Sequence, residues 1–399
     1  METMFPVNGV RLGIASAGIK KVGRKDLVII ELAPGTTTAA VFTRNDFCAA
    51  PVVLARQHLS QAAPRYLMIN TGNANAGTGE SGLLAARATV RALAERVGCA
   101  EEEVLPFSTG VIGESLPVDK LVAAQALALA DLHEDHWQAA AEGIMTTDTR
   151  PKVASVRIPF GDHYFSITGI TKGAGMIRPN MATMLSFVAT DLTIAPALLK
   201  VALSRAVEQS YHRITIDGDT STNDACTLSA TGASVLPPIS SETDSLYLSF
   251  CEALESLLLS LAQAMVRDGE GATKFFEIQV HGGLTGRECL DVAFTIAESP
   301  LVKTALFASD PNWGRLLAAI GRAGLVNLAI DQITLTLNDV LIAERGQRAA
   351  SYTEADGVAA MAPVNIVLQV GLNRGTASTT VYTSDFSYDY VRINAEYRT

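Results

Sequence analysis

Apolar residues recur along the chain in two rhythms. Short runs dense in Val, Ile, Leu, Phe and Tyr at 26–32, 65–70, 164–168, 275–280, 333–337 and 365–370 read as strands. Between groups of them the spacing widens to that of a helix face. Leu83, Leu84, Val90, Leu93 and Val97 line a helix over 81–98, and Leu254, Leu257, Leu258, Leu261 and Met265 line one over about 251–267. A further helix carries Pro196 in its first turn and runs to about Ser210, since proline is tolerated where the N–H has no intrahelical partner. Strands arrive in clusters, not strictly one per helix, so the pattern predicts an α+β fold with mixed or antiparallel sheets covered by helices.

Composition agrees that such sheets can bury cores. Of 399 residues, 48% are hydrophobic and 18% charged, below the roughly 25% charge typical of soluble domains. At roughly 150 residues per domain the length gives a prior of two or three domains. Thirty-one Lys and Arg against 41 Asp and Glu leave a net charge of −10, the wrong sign for a nucleic-acid or anionic-membrane surface. Uncharged runs such as 225–241 are broken by Ser, Thr, Gly and Pro, short of the about 18 apolar residues that span a bilayer, so no membrane passage is expected. The opening residues METMFP have neither the basic and apolar regions of a secretory leader nor the Arg/Ser-rich character of a transit peptide, which makes the cytoplasm the expected compartment. The five cysteines, at 48, 99, 226, 251 and 289, stand singly and suit buried thiols better than a disulfide or zinc framework.

Familiar catalytic machinery is absent from the motifs: there is no Gly-x-Ser-x-Gly elbow, Walker loop or His-Glu-x-x-His. His133 and His136 could share a helical face as a metal pair, but the stretch DLHEDHW reads as a solvated helix end with no third ligand near it. The run DGDTSTND at 217–224 is rich in oxygen ligands yet lacks the spaced glutamate that closes a calcium loop, so an Asx-rich turn is the better reading. No metal or cofactor is expected. Hydroxyl groups instead gather in what read as small-residue turns: Ser108-Thr109-Gly110, Thr146-Thr147-Asp148-Thr149 and Met181-Ala182-Thr183. Threonine is a weak nucleophile unless a base adjoins it, and its own α-amine becomes such a base once the preceding peptide bond is cut. An α-amine titrates at about 7.7–8.0, so part of it is unprotonated at neutral pH. That chemistry needs a small residue before the threonine, a turn bringing Oγ onto the preceding carbonyl, and backbone N–H donors for the oxyanion. Ala182-Thr183 behind a Gly/Pro-rich turn meets the first two needs, and Thr109-Gly110 could meet the third.

The segment KGAGMIRPNMATML at 172–185 closely resembles the self-cleaving core of the ornithine acetyltransferase family, also called glutamate N-acetyltransferase. The likeness extends over nearly the whole chain, through AGIKKVGRKDL at 17–27, NTGNANA at 70–76, STGVIG at 108–113, TDT at 147–149, DGDTSTND at 217–224, DGEGATK at 268–274, SDPNWGR at 309–315 and NAEYRT at 394–399. The resemblance implies a mixed α/β sandwich with a β-sheet core, related to enzymes with an N-terminal nucleophile. It implies autocleavage between Ala182 and Thr183 into segments 1–182 and 183–399 that share one folded protomer. It casts Thr183 as nucleophile and Thr109 and Gly110 as the oxyanion hole, with substrate contacts from Thr149, Lys172, Thr183, Glu270, Asn394 and Thr399.

The reaction so implied is transfer of an acetyl group from N2-acetylornithine to glutamate through an acetyl-threonine ester, within arginine biosynthesis. Lys172 suits the α-carboxylate common to both substrates, and Glu270 suits the ornithine ammonium. The resemblance also implies a heterotetramer of two copies of each segment. It does not separate members that also accept acetyl-CoA from those that only recycle acetyl groups. A rival reading on similar self-cleaving machinery is an aminopeptidase or amidase that passes its acyl group to water.

Overall fold

The structure is a computed structural model describing residues 4–20, 23–178 and 184–396. It divides into two compact units, one of 1–212 with 219–265, the other of 213–218 with 266–399. The 182/183 junction therefore lies within the first unit's span.

In the first unit the chain forms β1 (Val10–Ala15), β2 (Leu27–Leu32), β3 (Thr37–Phe42), α1 (Ala50–Leu59), β4 (Tyr66–Asn73), α2 (Gly79–Val97), β5 (Val104–Val111), α3 (Val118–Ala130), α4 (Trp137–Gly143), β6 (Lys152–Phe160), β7 (His163–Lys172), β8 (Leu185–Thr190), α5 (Pro196–Gln209), β9 (Ala225–Ala230) and α6 (Ser245–Arg267). One sheet has the order β1-β2-β4-β5 and the other β3-β9-β8-β7-β6. Both are mixed: β4 runs parallel to β5 and β8 parallel to β9, while their other pairings are antiparallel.

The continuous apolar run of β2 follows from burial on both faces. Leu27 and Ile29 pack with Val90 and Leu93 of α2 and Leu121 of α3. Val28 and Ile30, on the other face, join Trp137 of α4 and Ile170, Leu185 and Phe187 of the second sheet. The far side of that second sheet takes α6, whose Leu257 and Leu261 close on Gly169 of β7. Helix, sheet, sheet and helix thus stack in four layers, the mixed α/β sandwich expected from the sequence. Strands from both sides of the 182/183 junction share the second sheet, since β3, β6 and β7 precede it and β8 and β9 follow.

Helix α6 starts six residues before its expected position, because Asp244 accepts the Leu246 N–H at 2.9 Å and Leu246 and Phe250 extend the buried face. An 18-residue window within its 23 residues reaches a mean hydropathy of 1.3, enough by length and composition to cross a membrane, although 56% of that window is buried in the fold.

The second unit contains β10 (Phe275–Gly283), α7 (Gly286–Ala297), α8 (Pro300–Phe307), α9 (Trp313–Gly321), β11 (Thr334–Leu337), β12 (Val340–Glu344), β13 (Gln347–Arg348), α10 (Glu354–Met361), β14 (Asn365–Gly371), β15 (Ala377–Ser384) and α11 (Tyr388–Ala395). Its six-stranded sheet has the order β13-β12-β11-β14-β10-β15, and its core joins Ile278, Val292, Ile296, Leu316 and Leu368.

Candidate active site

Ser108, Thr109 and Gly110 do not form the small-residue turn that their composition suggests; they end strand β5. There Thr109 lies opposite Thr71 of the parallel β4, and the register shifts between Gly72 and Asn73. Gly110 adopts φ +136°, and a Cβ added to it would stand 2.3 Å from the Gly72 carbonyl carbon, so only glycine allows this approach. A disrupted ladder at a strand end is where backbone groups can turn from their neighbours towards a ligand.

Polar side chains brace this end from behind. Ser108 Oγ donates to Asn70 Oδ1 at 2.6 Å, and Asn70 Nδ2 donates to the Asn73 carbonyl at 2.9 Å. Asn223 Nδ2 donates to the carbonyls of Ala74 at 2.6 Å and Ser108 at 2.9 Å. The Asp/Asn-rich run thus acts as a structural turn here. Among the described residues no group of three or more His, Cys, Asp or Glu could hold a metal ion. His133 and His136 do not share a helical face: His133 bridges to Leu12 of β1, and His136 stands just before the first turn of α4 with its ring 5.1 Å from that of His133.

Lys172, the last residue of β7, brings charge to the same place. Its Nζ donates to Thr146 Oγ1 at 2.7 Å and to Thr109 Oγ1 at 3.2 Å, and the residue is 9% exposed. The next residue is anchored too, since Asp148 Oδ1 accepts the Gly173 N–H at 2.7 Å and also the Lys152 ammonium at 2.6 Å. Burial alone would raise the Asp148 carboxyl, but the ammonium groups of Lys172 and Lys152 outweigh it and hold it at about 2. Asp224 presents the opposite case. Burial pushes its carboxyl well above the usual range despite the pull of Ser221, Lys172 and the Met184 N–H, and its Oδ2 has no hydrogen-bond partner.

In the second unit, Glu270 is buried and accepts Asn394 Nδ2 at 2.7 Å. Thr149 is exposed. Ala182, Thr183 and Thr399 lie outside the described residues. Of the expected site, the structure therefore brings together Thr109, Gly110 and Lys172 in one place, and Glu270 and Asn394 in another. It adds Asp148 and Asp224, whose only sequence signal was membership of the TDT and DGDTSTND blocks, and Lys152, which had no such signal.

The family model that describes the ArgJ family matches residues 11–399. This chain belongs to the ArgJ family. A family relative from Pseudomonas fluorescens, described as arginine biosynthesis bifunctional protein ArgJ, is 55% identical over 399 residues, covering 100% of this chain and 98% of that protein. One of the same description from Methylococcus capsulatus is 56% identical over 397 residues, with coverage of 99% and 97%. A crystal structure of the arginine biosynthesis bifunctional protein from Bacillus halodurans is 37% identical, with a TM-score of 0.51 over 53% of this chain and 99% of that one. Membership in this family, which the blocks at 172–185 and elsewhere indicated, thus rests on nearly the full length.

Proposed function

We propose that this chain is an acetyltransferase of arginine biosynthesis that moves an acetyl group from N2-acetylornithine to glutamate. The observation that carries the reading is the Lys172 ammonium 3.2 Å from Thr109 Oγ1, at a strand end where Gly110 alone permits the backbone's approach. It puts a cation for a substrate carboxylate beside a candidate oxyanion hole, in a chain whose full-length relatives are described as arginine biosynthesis proteins.

Thr183 is the proposed nucleophile, freed by self-cleavage after Ala182. Its Oγ attacks the Ala182 carbonyl, the acyl group shifts from nitrogen to oxygen, and water hydrolyses the ester to leave a new α-amine at Thr183. Lys172 of β7 pairs with Leu185 of β8, so the strands that flank the proposed cut are neighbours in one sheet, which supports the two segments' staying together after cleavage. The Bacillus halodurans chain, matched over 99% of its own length, spans little more than half of this one, the share that a segment 183–399 would have.

In turnover, Thr183 Oγ attacks the acetyl carbonyl of N2-acetylornithine while the α-amine takes its proton and the Thr109/Gly110 groups hold the oxyanion. The C–N bond breaks, ornithine leaves with the proton, and the acetyl group remains as an ester. The glutamate amine then attacks that ester, giving N-acetylglutamate and restoring Thr183 by a ping-pong route. Lys172 binds the α-carboxylates, Glu270 with Asn394 the ornithine ammonium, and Thr149 and Thr399 complete the contacts.

The word bifunctional in the relatives' descriptions favours acetyl-CoA as a second donor. The proposed assembly is two cleaved protomers, and a cytoplasmic location fits synthesis from small soluble substrates. Mixing the protein with N2-acetylornithine and glutamate tests the reading: N-acetylglutamate and ornithine in equal amounts are expected. Acetate without N-acetylglutamate would favour the amidase reading instead. Glutamate acetylation from acetyl-CoA, without N2-acetylornithine, tests the second donor.

A further inference from the structure

We propose that Lys303 is the buried positioning residue of the Glu270–Asn394 pair and thereby sets the preference for a donor whose side chain is cationic. The inference rests on the reading of Glu270 and Asn394 as substrate contacts, and it concerns a residue to which that reading gives no role.

Lysine is almost never fully buried unless paired. Lys303, in α8, has 0% exposure. Its Nζ donates to Thr383 Oγ1 at 2.7 Å and to the Ser384 carbonyl, and lies 4.6 Å from the centre of the Phe386 ring. Three carboxylates on three parts of the chain act on it electrostatically: Asp385 beyond β15, Asp217 in the 213–218 segment and Glu298 at the end of α7. Even against their pull, burial pushes the ammonium down to about 7. A cation buried at such cost calls for a use beyond filling space, because an apolar side chain of similar volume fills a core at least as well.

Two chains of contact lead from this ammonium to the two members of the pair. On one, Ser384 is followed by Asp385, whose carboxylate accepts the backbone N–H groups of Thr273 at 2.8 Å and Lys274 at 2.9 Å and the Thr273 hydroxyl at 2.6 Å. Asp385 thus clamps the chain just after Glu270. On the other, the Phe386 ring beneath Lys303 stacks on Tyr390 of α11, with centroids 4.6 Å apart and planes 18° from parallel. One turn on, Asn394 Nδ2 donates to the Tyr390 carbonyl at 3.0 Å and to Glu270 Oε2 at 2.7 Å.

Helix α11 buries no residue of its own. Among the contacts that hold it over Glu270 are the Phe386 stack, the edge contact of Tyr388 with Phe307 of α8 at 5.4 Å between centroids, and the close approach of Gly271, where an added Cβ would stand 2.6 Å from Ser387 Oγ. A helix held by side-chain contacts and not by a buried face of its own shifts when one of those contacts is lost, and small displacements of a binding group cost specificity.

The test compares N2-acetylornithine with N2-acetylnorvaline, the same donor without the side-chain amine, as the ratio of their kcat/KM values in the full protein. Lys303→Met is expected to lower that ratio about tenfold, through KM for N2-acetylornithine, while N2-acetylnorvaline changes about twofold or less. Phe386→Leu, which keeps the ammonium but removes the stacked ring, is expected to act in the same direction, and carries the test if Lys303→Met does not fold. Equal losses for both donors would mean a purely structural role and would overturn the proposal. So would an unchanged ratio in folded Lys303→Met or Phe386→Leu while Glu270→Gln collapses it. An unchanged ratio in Glu270→Gln would instead remove the reading of Glu270 on which the proposal stands.

Discussion

Lys152 and Asp148 form an ion pair with both side chains at or near zero exposure and Nζ 2.6 Å from Oδ1. The same oxygen of Asp148 accepts the Gly173 N–H at 2.7 Å, so the pair fixes the chain where β7 gives way to the segment with the proposed cut. Because the folded carboxyl titrates at about 2, below its ordinary 3.8, ionised Asp148 stabilises the fold. That stabilisation is fully present above 3.8 and disappears as the pH falls through about 2. The shift corresponds to roughly 2 kcal/mol. Asp148→Asn is expected to flatten this acid limb when unfolding free energy is measured against pH. Lys152→Met leaves the carboxylate with one cation fewer and is expected to cost about 3–5 kcal/mol in denaturant unfolding at neutral pH. A loss below about 1 kcal/mol would show that Lys172 alone suffices to hold Asp148.

Gly110→Ala should damage turnover more than folding. The new Cβ would be 2.3 Å from the Gly72 carbonyl carbon, and alanine at φ +136° is strained, so the β5 end must retreat from β4. If this end supplies an oxyanion donor, kcat should fall about 100-fold or more, the usual cost of misplacing one. KM should change little, because the donor acts on charge that develops only in the transition state. A variant that folds and retains wild-type kcat would remove Thr109 and Gly110 from the oxyanion role.

The strands that enclose the core were readable because burial on both faces leaves continuous apolar runs, as in 27–30 and 66–69. The end of β5 was not. Pro106 interrupts its pattern and Ser-Thr-Gly has the composition of a turn, yet pairing with β4 extends the strand through Val111. Lys152 and Asp148 lie four apart in a segment with no helical periodicity, so nothing local announces that they meet. Asp224 sits in a run whose Asp, Asn and Thr residues suggest a solvated turn, and only the sheet built around it makes it a buried acid. Helix α11 has no buried face and therefore no hydrophobic rhythm to detect; Asn394 stood out only through the family likeness.

Lys172→Met tests the shared carboxylate site. The replacement removes the donors to Thr109 and Thr146 together with one cation beside Asp148. KM is expected to rise about tenfold or more for both N2-acetylornithine and glutamate, because a lost charge-assisted contact is worth about 1.5–3 kcal/mol. A rise for only one substrate would separate two carboxylate sites that the present reading merges.

Asp224 should make the fold less stable in alkali. Its buried carboxyl is raised well above 3.8, so the folded state holds a proton that the unfolded chain releases. The stabilisation from that proton is complete below 3.8 and is lost as the pH rises through the folded value. Below its raised folded value Asp224 is uncharged, and there Lys172 and Lys152 face one ionised carboxylate, Asp148, which leaves positive charge for an incoming α-carboxylate. Asp224→Asn copies the neutral form at nearly constant shape. Its Tm, followed from acid to alkaline pH, is expected to decline less than that of the wild type, while KM for glutamate at neutral pH stays within about twofold. Parallel Tm curves for the two proteins would mean that Asp224 titrates as it does in the unfolded chain, and that its charge is part of the site.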